Sequence, residues 1–327
     1  MPEQTLQGAL NEALRTALRE DSRVLVFGED VGRHGGVFRV TDGLHGEFGP
    51  QRVFDTPLAE AGIVGLAVGL CMHGFRPVAE IQFDGFAFPA FNQIASHVSK
   101  LRTRTRGTVD LPLTIRVPSF GGIKGPEHHS ESIEALVAHL PGIKVVSPST
   151  PQEGSTLLLE AIRDPDPVIF LEPKSRYWTR GDVDLDGAAD GDDRYPSRVV
   201  REGRDVTLLA WGATVARCLQ AAEFAAEDGV EVEVLDLRWL KPIDADGIAA
   251  SVRRTRRAVV VHEAQRTAGL GAEVSALLME RCFSDLAAPV VRVAGPDIPY
   301  PPAALEDEYL PTPDRILTAI QQTFETA

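Results

Sequence analysis

Along most of the chain, short runs of β-branched and aliphatic residues alternate with segments of helical periodicity, and few folds accommodate that order. The runs 24-VLVFG-28, 77-PVAEIQ-82, 113-LTIRV-117, 143-IKVVS-147 and 167-PVIFL-171 are separated by helical patterns near 57–73, 87–103, 132–139 and 151–163. Strands this apolar need cover on both faces, and parallel neighbours need a crossover between them. The alternation therefore implies α/β domains, each a largely parallel sheet covered by helices. Ahead of the first strand, Leu6, Ala9, Leu10, Ala13, Leu14, Ala17 and Leu18 form one stripe of an amphipathic helix, with Thr5 placed to cap it. The pattern halts at 181-GDVDLDGAADGDD-193, which is rich in aspartate and poor in anything that packs. It resumes with strand-like 206-VTLLAWG-212, 230-VEVEVLDL-237, 257-RAVVVHE-263 and 289-PVVRVAG-295. Helices are expected between them over 214–228, 244–254 and 271–283, and a last one over 312–324 has Pro313 in its first turn. Two domains, 1–180 and 200–327, joined by an acidic linker at 181–199, are the expectation.

The 327 residues suffice for two cores. A formal charge of −14 argues against nucleic acid as a partner, since phosphate binding needs a concentrated basic face. The cluster 100-KLRTRTRG-107 is short and reads as a solvated helix end or a subunit contact. Cys71, Cys218 and Cys282 are far apart without C-x-x-C spacing, the pattern of free thiols in a reducing compartment. The opening helix carries acids and no signal-peptide core, and the apolar run at 61–72 is too short for a bilayer. A cytoplasmic location without membrane contact is expected.

Glu60 raises the chemical question. It is followed by 61-AGIVGLAVGLCM-72, in which every residue is small or apolar. An acid in a first helical turn is favoured by the helix dipole and needs no function. A carboxyl between apolar neighbours, however, should have a raised pKa, which is how proteins obtain proton-transfer groups near neutral pH. Gly62, Gly65 and Gly69, at i, i+3 and i+7, share a face that a second backbone could approach closely. Each helical glycine costs about 1 kcal/mol against alanine, so three of them ask for a packing reason. Further on, 127-EHHSES-132 follows the turn 120-FGGIKGP-126. Adjacent histidines point apart, so at most one enters a given site. His128 and His129 with Glu127 or Glu131 leave a metal-dependent hydrolase open, although neither H-E-x-x-H nor a second ligand pair occurs. Phe83, Phe86 and Phe88 read as core on their own. The stretch 268-AGLGAE-273 lacks a full G-x-G-x-x-G and reads as a tight strand-to-helix turn.

From Glu60 through Gly65, Leu66, Gly69 and Leu70 the chain resembles the E-x4-G-Φ-x-x-G-Φ signature of the pyrimidine-binding domain of thiamine-diphosphate enzymes. With 28-GEDVGRHGGVFRVTDGL-44, 79-AEIQFDGFAFPAFNQI-94, 128-HHSES-132 and 140-LPGIKVVSPSTP-151, it looks like the β subunit of the E1 component of 2-oxo acid dehydrogenases. The branched-chain type is resembled more than the pyruvate type, over essentially the whole chain. The resemblance implies a pyrimidine-binding fold followed by a transketolase C-terminal-like domain. It implies that Glu60 hydrogen-bonds N1′ of the cofactor's aminopyrimidine, favouring the imino tautomer that removes the C2 proton, and that a dry, apolar wall strengthens this bond. Leu58 and Gln82 would line the pyrimidine, and Phe86 would pack on its ring where relatives often carry tyrosine. His129 would stabilise charge on the bound intermediate and assist acyl transfer to lipoamide.

The same resemblance places a potassium ion at Leu111, Leu113, Thr114, Ala161, Asp164 and Asp166, mostly through main-chain oxygens. Magnesium and the diphosphate are held in this family by a motif that opens Gly-Asp-Gly. Here Gly181–Asp182 and Gly191–Asp192 run on into Val183 and Asp193 instead. That half of the site is therefore expected from an α subunit, in an α2β2 heterotetramer. The activity implied is oxidative decarboxylation of branched-chain 2-oxo acids, with acyl transfer to the lipoyl group of the E2 acyltransferase, whose subunit-binding domain is a further partner. A pyruvate dehydrogenase β subunit and a non-catalytic α/β scaffold are the alternatives.

Overall fold

The computed structural model describes residues 3–184 and 195–325. It forms two units, one from Met1–Ser119 and Leu136–Asp192, the other from Phe120–Ala135 and Asp193–Ala327. The strands of the first are β1 (Glu3–Thr5), β2 (Val24–Gly28), β3 (Val53–Asp55), β4 (Arg76–Glu80), β5 (Thr114–Ser119), β6 (Lys144–Val146), β7 (Val168–Pro173) and β8 (Arg180–Asp182). Six of them lie in the order β6-β7-β5-β4-β2-β3, every pairing parallel, with Val26 opposite Val78 and Ile115 opposite Ile169. All five residues of β2 are buried, as an apolar strand between two helical layers requires.

Thr5 caps the helix Leu6–Glu20 by accepting from Gly8 N at 3.0 Å, and the apolar stripe is buried throughout. The partner helix is Pro151–Arg163, capped by Thr150. A Cβ at Gly154 would lie 2.3 Å from Leu6 Cδ1, so a larger residue there would require the buried Leu6 side chain to shift. Two local features departed from the sequence reading. The helix expected over 87–103 is instead Ala87–Gln93, a wide turn Ile94–Val98 closed by Ser99 N to Ile94 O at 2.9 Å, and a short helix Leu101–Arg104. Gly181 and Asp182, at the start of the acidic stretch, pair as strand β8 with β1, antiparallel. Most of the expected linker, 185–194, lies outside the described residues.

A buried ionic network crosses the sheet. Arg116 is fully buried and donates to both oxygens of Glu172 at 2.6 and 2.9 Å and to Glu80 at 2.6 Å. The Tyr177 hydroxyl adds a bond to Glu172. Burying such charges is costly, and removing one partner leaves the others uncompensated. Arg116→Ala is therefore expected to destabilise the fold by about 3–5 kcal/mol, read from chemical denaturation.

In the second unit the strands are β9 (Arg198–Arg201), β10 (Val206–Ala210), β11 (Val232–Asp236), β12 (Trp239–Lys241), β13 (Ala258–Gln265) and β14 (Val291–Gly295). Five form a sheet in the order β14-β13-β10-β11-β9, parallel except for the edge strand β9. Its core gathers Leu208, Val234, Val259 and Val261 with Cys218, Ala222, Ile316 and Ile320 from the covering helices. The glycines of 268–273 are explained by close approach. A Cβ at Gly269 or Gly271 would lie 2.8 or 2.5 Å from the buried His262 ring, which stacks on Trp211. The helix Leu270–Cys282 opens there, so a tight turn is what this stretch makes. The three cysteines are free and buried. Among the described residues no helix is long and apolar enough to cross a membrane.

Candidate active site

In an open parallel sheet, ligands collect beyond the carboxyl ends of the strands. At that end of the first sheet, Glu29 follows β2, residues 56–60 follow β3 and residues 81–86 follow β4. Thr56 N donates to Gly28 O at 3.0 Å, which ties the loop after β3 to the end of β2. Asp55 accepts from Gly32 N at 2.6 Å and anchors the glycine-rich segment after β2. Glu60 is the first residue of the helix Glu60–Met72 and is 8% exposed, whereas Leu58, two residues earlier, is 81% exposed. Gln82 Nε2 donates to Asp30 Oδ2 at 3.3 Å. Phe86 is half-buried and meets Phe83 edge to face at 5.7 Å, while Phe88 is 48% exposed, so only Phe83 is core. The turn 83–86 is held by Asp84, which caps Gly85 N at 2.8 Å and pairs with the buried Lys174.

The wall around Glu60 differs from the apolar one expected. Its helix does bury Ile63, Val64, Ala67 and Cys71, yet the residues facing it from the neighbouring strand ends include acids. Glu29 is buried, and burial raises its carboxyl above the ordinary range, with the charges of Glu60, Asp30 and Glu80 adding to the shift. Glu29 Oε1 and Thr56 Oγ1 are buried without a hydrogen-bond partner among the described residues. Sequence reasoning missed Glu29, although 28-GEDVG-32 sets it directly after a buried strand, where a side chain turns into the crevice. On the glycine face, a Cβ at Gly65 or Gly69 would meet nothing within 4 Å, and one at Gly62 would meet only Ala59. No other part of the described chain packs there.

His129 belongs to the second unit, on an excursion closed by Phe120 N to Glu131 O at 3.1 Å. Its Nδ1 lies 2.9 Å from Glu127 O. A carbonyl can only accept, so Nδ1 carries the proton and Nε2 of the neutral ring bears the lone pair. His128 has φ 66° and a side chain 62% exposed. No cluster of three or more His, Cys, Asp or Glu with metal-binding geometry occurs among the described residues.

The residues tied to potassium are brought together. Leu111 N bonds Pro165 O at 3.1 Å, Val168 N bonds Leu113 O at 2.9 Å, and Asp164 N reaches Ala161 O at 3.4 Å. Cations of the chain already stand on the two carboxylates. Lys144 Nζ is 2.7 Å from both oxygens of Asp164, and Arg102 is 2.5 Å from Asp166.

Two family models match the chain, the transketolase pyrimidine-binding domain over residues 3–179 and the transketolase C-terminal domain over 197–316. The 3-methyl-2-oxobutanoate dehydrogenase subunit beta of Mycobacterium tuberculosis (strain ATCC 25618 / H37Rv) is 52% identical over 319 residues, 97% of this chain and 91% of the relative. The pyruvate dehydrogenase E1 component subunit beta of Leifsonia xyli subsp. xyli is 52% identical over 316 residues, 96% of this chain and 93% of the relative. The chain belongs to the transketolase-like E1 β subunits. A solved structure described as "Split gene transketolase, inactive beta4 tetramer" shares the fold with a TM-score of 0.81 at 25% identity, over 98% of both chains. Thiamine diphosphate is the cofactor this family uses, and an E1 β subunit has an α partner.

Proposed function

We propose that this chain is the β subunit of a branched-chain 2-oxo acid dehydrogenase E1, and that it contributes the pyrimidine grip and the acyl-transfer histidine. The observation that carries the reading is the buried Glu60 carboxyl at the strand ends, beside a buried Glu29 oxygen that has no hydrogen-bond partner among the described residues. That is a site with hydrogen-bonding capacity held in reserve for a ligand. Thiamine diphosphate, when bound, supplies the carbanion chemistry that releases CO2 from a 2-oxo acid. Glu60 holds a hydrogen bond and a proton at pyrimidine N1′. Glu29, with its proton affinity raised, keeps a second protonatable oxygen in the same crevice. Leu58 and Phe86 give apolar contact to the ring, and Gln82, oriented by Asp30, lines its edge. Lacking a hydroxyl, Phe86 offers no polar contact.

His129 stabilises charge and assists transfer to the lipoyl group of an E2 acyltransferase, whose subunit-binding domain is the expected docking partner. His129→Ala is expected to lower acyl transfer to lipoamide at least about 10-fold while leaving cofactor binding near normal. His128→Ala should be close to silent. Equal effects of the two substitutions would show that the wrong histidine has been chosen. A potassium ion at the oxygens of Leu111, Leu113, Thr114 and Ala161, with Asp164 and Asp166, completes the proposal. Because Lys144 already neutralises Asp164, the carbonyls would supply most of the coordination. Magnesium, the α2β2 assembly and a cytoplasmic site of action belong to the same reading, as does a division near 180–200 between the pyrimidine-binding and C-terminal domains.

The second reading is a pyruvate dehydrogenase β subunit, favoured by a relative of that name at the same 52% identity. Specificity constants on the assembled enzyme separate the two. The 2-oxo acids of valine, leucine and isoleucine should exceed pyruvate, by a margin limited to about 1–3 kcal/mol per methylene of apolar pocket. A clear preference for pyruvate would move the chain to the second reading.

A further inference from the structure

We propose that Glu306, together with Glu263, is a positioning residue that suspends the His129 excursion from the body of the second unit. This rests on His129 as the acyl-transfer histidine. The excursion begins with left-handed φ at Phe120 (71°), Gly122 (87°) and Lys124 (53°), a backbone that turns successive N–H groups toward an anion. The anions are there. Gly121 N donates to Glu263 Oε2 at 2.8 Å. Gly122 N donates to Glu306 Oε1 at 3.0 Å, and Lys124 N reaches both Glu306 oxygens at 3.1 and 3.0 Å. Tyr300 hydroxyl donates to Glu306 at 2.8 Å, and its ring lies so close to the turn that a Cβ at Gly121 would overlap it.

Glu306 is 1% exposed and Glu263 is 3% exposed. A buried carboxylate is tolerated only where donors replace its water, and here most of the donors belong to the excursion itself. The shape of residues 120–125 and the burial of Glu306 thus require each other. Past this anchored base the chain reaches His128 and His129, where His129 N donates to Pro126 O at 3.2 Å and its Nδ1 lies 2.9 Å from Glu127 O, both bonds within the excursion. The two carboxylates thus hold the base from which the imidazole is carried.

The test uses the chain assembled with its α subunit. Glu306→Gln keeps the shape but loses the charge, and is expected to speed amide exchange at 121–124 and slow acylation of a lipoyl domain, each by about 10-fold. The half-saturating concentration of thiamine diphosphate should not move. Tyr300→Phe removes one donor from the same carboxylate without emptying the site, and should give about a third of the logarithmic effect. It serves if Glu306→Gln fails to assemble. In the unaltered enzyme, Gly122 and Lys124 amides should exchange far more slowly than that of exposed Glu127. Equal exchange rates there, or unchanged acylation in a variant whose excursion has loosened, would overturn the proposal. If instead His129→Ala leaves acylation intact while the 122 and 124 amides stay protected, the role of His129 fails and the anchor stands.

Discussion

Glu60→Ala is expected to fold and assemble, yet to lose at least ~100-fold of decarboxylation, the scale of a missing acid–base group. The two halves of that expectation have different physical origins. Structurally, Glu60 is the first residue of its helix, and the helix is carried by the burial of Ile63, Val64, Ala67 and Cys71. Removing a first-turn acid forfeits about 0.3–1 kcal/mol of dipole interaction, small against a domain stability of about 5–15 kcal/mol. Chemically, ~100-fold corresponds to about 2.7 kcal/mol of barrier. A helix-dipole role cannot produce a loss of that size in rate with none in folding. Single-turnover decarboxylation with saturating cofactor, alongside thermal unfolding, separates the two. Near-normal turnover would return Glu60 to the bland role of a helix-end acid.

Much of the architecture was legible because β2 and the first four residues of β7 are continuous apolar runs and the first helix keeps an unbroken apolar stripe. Patterns of period two and 3.6 report burial, and burial decides these elements. What escaped the pattern was set by other forces. The pairing of β1 with β8 joins short, partly exposed strands with no apolar signal. The wide turn at Ile94–Val98 is an extra residue in a helix, invisible to a periodic count. In the site, Glu60 and His129 came from resemblance and remain proposals. Glu29 was overlooked because its importance comes from tertiary neighbours, Glu60 at a helix start and Glu80 at the end of another strand. Glu306 and Glu263 were equally silent, since an acid at the start of a short helix or within a strand shows no role until the N–H groups that donate to it are placed.

The isolated chain is expected to show no decarboxylation with magnesium, thiamine diphosphate and a branched-chain 2-oxo acid, and full activity only with a co-expressed α subunit. A diphosphate needs magnesium, and magnesium needs hard oxygen ligands in near-octahedral array. The chain has Gly-Asp pairs only at Gly181–Asp182 and Gly191–Asp192, neither followed by the glycine that opens the usual motif. Gly181 and Asp182 are moreover committed to the β1–β8 pairing. The pyrimidine half of the site is correspondingly open, with Leu58 81% exposed. On the helix behind Glu60, Leu66 and Met72 are 43% and 60% exposed, and none of the described residues comes within 4 Å of a Cβ placed at Gly65 or Gly69. Apolar side chains beside bare backbone suit a close-packed, obligate interface, which should bury on the order of 2,000 Å2 or more. Bulk on that face should therefore act through assembly. Gly65→Leu in this chain should leave the isolated subunit folded and weaken its association with α by at least ~10-fold, since overpacking costs about 1–3 kcal/mol. Size-exclusion chromatography with the α subunit, paired with the activity assay, reads both effects. Decarboxylation by the chain alone would overturn the two-subunit site, and unaltered assembly of Gly65→Leu would place the α subunit on another face.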